Sequence, residues 1–124
     1  MNTSDLIDLI SEAAFEVRKA LQPGFVESVY QNALMVELEL RGLKAQKEVY
    51  IPVVYKGRVV GDFRADILVE GKVIIETKAV EEHSPVHDVQ LVNYLTATGI
   101  DDGLVINYGK KYCSRRKTRL YRQN

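Results

Sequence analysis

Apolar side chains in the first twenty residues recur at the spacing of one helical face: Leu6, Ile10, Ala13, Ala14, Val17 and Leu21. Thr3 or Ser4 can cap the start of this helix with a hydroxyl. Gln22-Pro23-Gly24 ends it, because proline has no amide hydrogen to donate and glycine readily takes left-handed geometry. A second stripe of Val29, Tyr30, Ala33, Leu34 and Leu38 predicts a helix from near Val26. It closes at Arg41-Gly42, a cation followed by a permissive C-cap. The period then changes to two. Val49, Ile51 and Val53 alternate with other residues, and Tyr55-Lys56-Gly57-Arg58 turns the chain into Val59-Val60, the pattern of a hairpin. Phe63 to Val69 predicts a third strand, and Glu70-Gly71 leads into a fourth from Lys72 to Val80, with Val73-Ile74-Ile75 buried at its centre. Ser84-Pro85 places a cap residue before a proline at the first helical position. The helix it opens runs to about Thr98, with Val89, Val92 and Leu91 or Leu95 facing inward, and Gly99 closes it. Leu104-Val105-Ile106 predicts a last short strand; the pattern after it fits neither helix nor strand clearly. The predicted order is α-α-β-β-β-β-α-β, a sheet covered by helices.

With 124 residues the chain has the length of one domain, and no linker, repeat or low-complexity stretch divides it, so residues 1–124 are expected to form one domain with a basic C-terminal segment at 110–124. A composition of 46% hydrophobic and 27% charged residues excludes disordered and fibrous classes. No apolar run approaches the roughly 20 residues that span a bilayer, and no basic-then-apolar signal opens the chain. A single cysteine, Cys113, forms no internal disulfide. A cytoplasmic protein without a membrane partner is the expectation.

The formal net charge of zero conceals an asymmetry. From Gly103 onward there are seven Lys or Arg and no Asp or Glu, so the tail carries +7 and the rest −7. Clustered cations of this kind, here Lys110, Lys111, Arg115, Arg116, Lys117, Arg119 and Arg122, can displace counterions from a phosphate backbone. They can equally pair with the protein's own acids.

Charged residues in a buried strand need a partner, which singles out Glu76 and Lys78 in Val73-Ile74-Ile75-Glu76-Thr77-Lys78. Two apart, they share a face. Asp66 lies in the preceding apolar run, and in a hairpin around Glu70-Gly71 it stands about as far from the turn as Glu76, so some registers bring the two carboxylates together. Paired carboxylates can bind a hard divalent cation. The plainer alternative is a partly exposed Glu76–Lys78 ion pair with Asp66 solvated nearby. Arg64, two residues before Asp66, should share its face as a phosphate contact or an ion-pair partner. His83 and His87 have four-residue spacing, but Ser84-Pro85 puts His83 before the helix, so the spacing does not describe a zinc site.

Four blocks complete the pattern: Gly24-Phe25-Val26-Glu27-Ser28-Val29-Tyr30, Asp66 with Glu76-Thr77-Lys78, His87 to Tyr94, and Leu104 to Tyr108. In this order they resemble the GxxExxY family, a branch of the PD-(D/E)XK nuclease-like superfamily, over about residues 21–108. The resemblance implies an α/β, restriction-endonuclease-like core with a mixed central sheet flanked by helices. It implies Asp66 as the metal-binding aspartate, Glu76 and Lys78 as the acidic residue and lysine of the (D/E)-x-K motif, and Glu27 as the helix glutamate that completes the metal site. Gln90 and Tyr94 match the flanking helix block, Gln90 on the catalytic side and Tyr94 toward substrate. Thr77 stands where many relatives carry an apolar residue, and no proline precedes Asp66. The implied activity is metal-dependent phosphodiester hydrolysis with magnesium, or manganese in its place. The expected partner is nucleic acid, DNA before RNA, contacted by Arg64, Tyr94, Arg115, Arg116 and Lys117. A core this small offers little surface for sequence readout, so action at ends or structures, a homo-oligomer or a protein partner is expected. The competing expectation is a non-catalytic nucleic-acid-binding or protein-interaction module that keeps the fold.

Overall fold

The computed structural model describes residues 1–120; Tyr121 and Arg122 of the basic segment lie outside the described residues. Helix α1 (Thr3–Ala20) is followed by α2 (Glu27–Leu40), β1 (Ala45–Tyr55), β2 (Arg58–Val69), β3 (Val73–Lys78), α3 (Pro85–Thr98), β4 (Asp102–Asn107) and β5 (Cys113–Thr118). The five strands form one sheet in chain order. Only β3 and β4 pair in parallel, with α3 as the crossover between them, and the other neighbours are antiparallel. This is the expected mixed sheet flanked by helices.

Differences from the sequence reading have local causes. The cap of α1 is Asn2, not Thr3 or Ser4: its side chain accepts from the Asp5 amide at 2.8 Å, and Asp5 returns the contact to the Asn2 amide. The two runs Val59-Val60 and Phe63–Val69 are a single strand, because Asp62 pairs with Pro52 and Gly61 with Val53, and after a bulge that skips Val60 the pairing with β1 resumes at Val54↔Val59. Three strands, not four, therefore precede α3, and the basic tail adds β5 by pairing with β4. In α3, Leu91 and Leu95 are buried whereas Val89 is exposed, so the inward stripe is narrower than the apolar pattern.

Two clusters of buried side chains sandwich the sheet. Leu6, Ile10, Val17, Leu34 and Leu38 of α1 and α2 pack with Ile67, Val69, Val73, Ile75, Leu104 and Ile106. On the other side Leu91 and Leu95 of α3 pack with Phe63, Ala65, Leu68, Ile74 and Val105. Fully burying one such aliphatic side chain stabilises the fold by about 1.5–3 kcal/mol. Strict alternation would put Ala65 and Ile67 on one face, yet they join opposite clusters. The reversal falls at Asp66, whose expected partner Glu48 has a φ of 56° and is missing from the register between Lys47↔Ile67 and Val49↔Ala65. The β1–β2 ribbon thus twists at Asp66, and its outer half, with Val49, Ile51 and Val53, covers the α3 side.

Candidate active site

β2 and β3 pair as Val69↔Val73, Leu68↔Ile74 and Ile67↔Ile75, and the ladder stops there. One step further along the same register, Asp66 and Glu76 stand opposite each other where the strands separate. Freed from the ladder, the Thr77 amide donates to Oδ2 of Asp66 at 2.9 Å, and the Thr77 hydroxyl donates to the same oxygen at 3.2 Å. Asp66 and Thr77 are both buried.

Glu76 has the most perturbed carboxyl in this group. Burial pushes it from 4.5 up to about 9, reinforced by the Asp66 charge and a hydrogen-bond contact with the Asp66 carboxylate. Lys78 and the Asp66 backbone act in the opposite direction but do not compensate. Its Oε1 is buried without a hydrogen-bond partner. Two acceptor groups pressed together in a poorly hydrated place require either a shared proton or a cation between them. The donor set therefore fits a hard divalent ion, for which carboxylate oxygens are the preferred ligands.

Helix starts frame this pair. Glu27 opens α2 half-buried, and its carboxyl is raised mainly by burial and then by the Asp66 charge, while Lys78, Arg64 and a 3.4 Å bond from Gln31 oppose the rise. Across the site, His87 in the first turn of α3 is lowered by burial and then by the Lys78 charge. The Lys78 charge therefore acts on the first turns of both α2 and α3. Among the described residues no group of three or more His, Cys, Asp or Glu is arranged to hold a metal, so the metal-ready pair is Asp66 with Glu76, and Glu27 stands beside it. His83 precedes α3 and bonds Asp88 at 2.8 Å, in keeping with the loss of meaning of its spacing from His87.

The other expected site residues divide. Arg64 reaches Glu48 at 3.6 Å, since the alternation that would place it beside Asp66 fails at the twist. Gln90 bonds the Tyr94 hydroxyl at 3.1 Å, Tyr94 stacks on Phe63 at 3.8 Å, and both line a groove of about 520 Å³ on α3. Among the described residues neither bonds to Asp66, Glu76 or Lys78. On β5, Arg116 is held by Asp102 at 3.0 Å and Lys117 lies 3.8 Å from Asp88, so part of the basic tail pairs with the protein's own acids. Arg115 is exposed and has no ion-pair partner among the described residues. It lies in one cross-strand row with Val105 and Glu76, roughly 10 Å from Glu76 across two strand spacings.

Three supporting residues were not singled out by the sequence reading for these contacts. Thr77 holds Asp66. Tyr30 accepts from the Phe25 amide at 3.2 Å, donates to the Gln22 carbonyl at 2.8 Å and stacks on Tyr108, fixing the loop that presents Glu27. Asn107, wholly buried, bonds both the amide and the carbonyl of Val80 at 3.0 Å, securing the chain just past Lys78. Polar residues inside apolar strands were the available signal for Thr77 and Asn107.

The chain matches the family model for the PD-(D/E)XK nuclease superfamily over residues 4–120 and belongs to that superfamily. Among solved structures it is similar to the crystal structure of SSO0001, with 18% identity and a TM-score of 0.58 over 77% of this chain. It spans 50% of the length of that protein. It is also similar to an alkaline exonuclease (LHK-Exo) from Laribacter hongkongensis, with 15% identity and a TM-score of 0.56, covering 96% of this chain and 72% of that one. At these identities the likeness is one of fold. No curated protein matches the sequence. Among the described residues no helix is long and apolar enough to cross a membrane.

Proposed function

We propose that this protein is a metal-dependent nuclease that hydrolyses nucleic-acid phosphodiester bonds, DNA before RNA, and that it falls within the GxxExxY branch of its superfamily. The observation that carries the reading is buried Asp66 paired with half-buried Glu76, whose Oε1 is buried and unpartnered, with Lys78 acting on the same carboxyl. Asp66 and Glu76 would be the ligands, for magnesium or manganese. A divalent cation held there supplies charge neutralisation at the phosphoryl oxygens and acidifies a water.

The remaining steps belong to the side chains. Lys78 orients the attacking water and stabilises the charge that develops on the phosphoryl group. Glu27, which feels the charges of both Lys78 and Asp66, would complete the carboxylate surroundings of the cation. Arg115, from the same sheet row as Glu76, holds a phosphate, and Arg64, whose 3.6 Å pair with Glu48 is exposed and whose charge reaches Glu27, exchanges that partner for a second phosphate. Gln90 and Tyr94 flank the site from α3 and contact the substrate beyond the scissile bond. Arg116 and Lys117, already paired, contribute to the basic face rather than to direct contacts. The small sheet favours substrates recognised by an end or a structure, with a second copy or a protein partner extending the surface. A single cysteine that needs no oxidising compartment supports a cytoplasmic setting.

The test is a gel assay of the purified protein against single-stranded, double-stranded and branched DNA and against RNA, with magnesium or manganese, beside Lys78→Ala. Metal-dependent cleavage that the variant loses is the expected result. Intact substrates that both proteins bind equally would overturn it in favour of a non-catalytic nucleic-acid-binding module.

A further inference from the structure

We propose that Thr77 is a positioning residue for the carboxylate pair: its amide and hydroxyl together commit Oδ2 of Asp66 to the protein, leaving Oδ1 as the oxygen for a cation. The inference rests on the reading of Asp66 and Glu76 as a divalent-cation site.

Two observations support it. The regular β2–β3 ladder ends at Ile67↔Ile75, so the Thr77 amide is free to bond a side chain. The hydroxyl, on a residue with no exposed surface, spends its donor on the same oxygen at 3.2 Å. A carboxylate gripped at one oxygen by two donors has little rotational freedom, and its other oxygen keeps a fixed direction. An apolar residue at this position would fill the same space and retain the amide bond but supply no second donor. The chain has placed a hydroxyl between its two motif charges, in a core position where burial of an unpaired hydroxyl is unfavourable. Partners of metal ligands commonly control affinity by about ten- to a hundredfold.

The experiment compares wild type, Thr77→Val and Thr77→Ser by calorimetric titration with manganese alone, and by thermal unfolding and metal-free DNA binding as controls. Thr77→Val is expected to bind manganese about tenfold or more weakly. Thr77→Ser, which keeps the donor, should stay within about threefold of wild type, and metal-free DNA binding should not change. A role in packing alone would lower the unfolding temperature without this split in metal affinity. If Thr77→Val does not fold, Thr77→Ala against Thr77→Ser gives the same contrast. Equal manganese affinity in the Val (or Ala) and Ser variants and wild type overturns the positioning role while leaving the cation site standing. Absence of manganese binding by wild type overturns the cation-site reading and this inference with it.

Discussion

Replacing Glu76 with glutamine should stabilise the metal-free protein at alkaline pH far more than at acidic pH. Glu76 is raised from 4.5 to about 9 in the folded chain, by burial first and by Asp66 second. Between those values the folded state retains a proton that the unfolded chain gives up. Stability therefore falls as pH rises from about 4.5 and levels off above about 9. At about 1.36 kcal/mol per pH unit, going from about pH 5 to about pH 8 removes at most about 4 kcal/mol. Glu76 keeps some exposure to solvent, which screens its charge, so about 2 kcal/mol is the expected loss. For a domain of this size that is about 8 °C in Tm. Glutamine has the same shape and does not titrate, so Glu76→Gln lacks the decline. Its amide can also donate to Asp66, a gain shared across this pH range, which makes the pH dependence of the difference the informative quantity. The assay is thermal or urea unfolding of both proteins in chelator-containing buffer at the two pH values. Parallel curves, with a difference that changes by less than about 0.5 kcal/mol, would refute the claim that Glu76 is held protonated against Asp66.

Two other substitutions test how the surroundings of the site are built. Arg115→Ala should reduce the slope of DNA affinity against salt by about one unit, whereas Arg116→Ala, which breaks the pair with Asp102, should leave the slope nearly unchanged; equal losses from filter-binding titrations would contradict the division of the tail into paired and available cations. Gly109→Ala would put a Cβ 1.7 Å from the Val80 carbonyl oxygen, and the backbone shift needed to relieve it should cost about 3 kcal/mol or more in urea unfolding. A loss below about 1 kcal/mol would mean that the link between the ends of β3 and β4 yields easily.

The helices were legible because each buries one stripe against the sheet. Ser84-Pro85 and Gly99 mark the ends of α3, and Gly99 takes the left-handed conformation its position requires, with φ of 77°. The parallel β3–β4 pair follows from a helix of 14 residues lying between two apolar strands. The cap at Asn2 was missed because three neighbouring residues, Asn2, Thr3 and Ser4, can all cap and only backbone geometry chooses among them. β5 was missed because CSRRKT has no apolar alternation; as an edge strand it depends on pairing with β4 rather than on a buried face.

Glu76, Lys78 and Asp66 were recognisable in sequence as charges inside apolar strands, since such charges persist only where they are paired or used. Family motifs added Glu27. Residue order alone thus specified the residue types of the centre and the layers that would carry them. Tertiary structure decided their arrangement. It reversed the β2 alternation at Asp66, sending Arg64 to Glu48, and it ended the β2–β3 ladder one step early, so that Thr77 could hold Asp66. It also turned half-visible tail charges into partners of Asp102 and Asp88 while leaving Arg115 exposed. The physical reason is that periodicity records which side chains avoid water, a local property of each element. Twist, ladder termination and ion pairing depend on which strands and helices meet, and those contacts span dozens of residues along the chain.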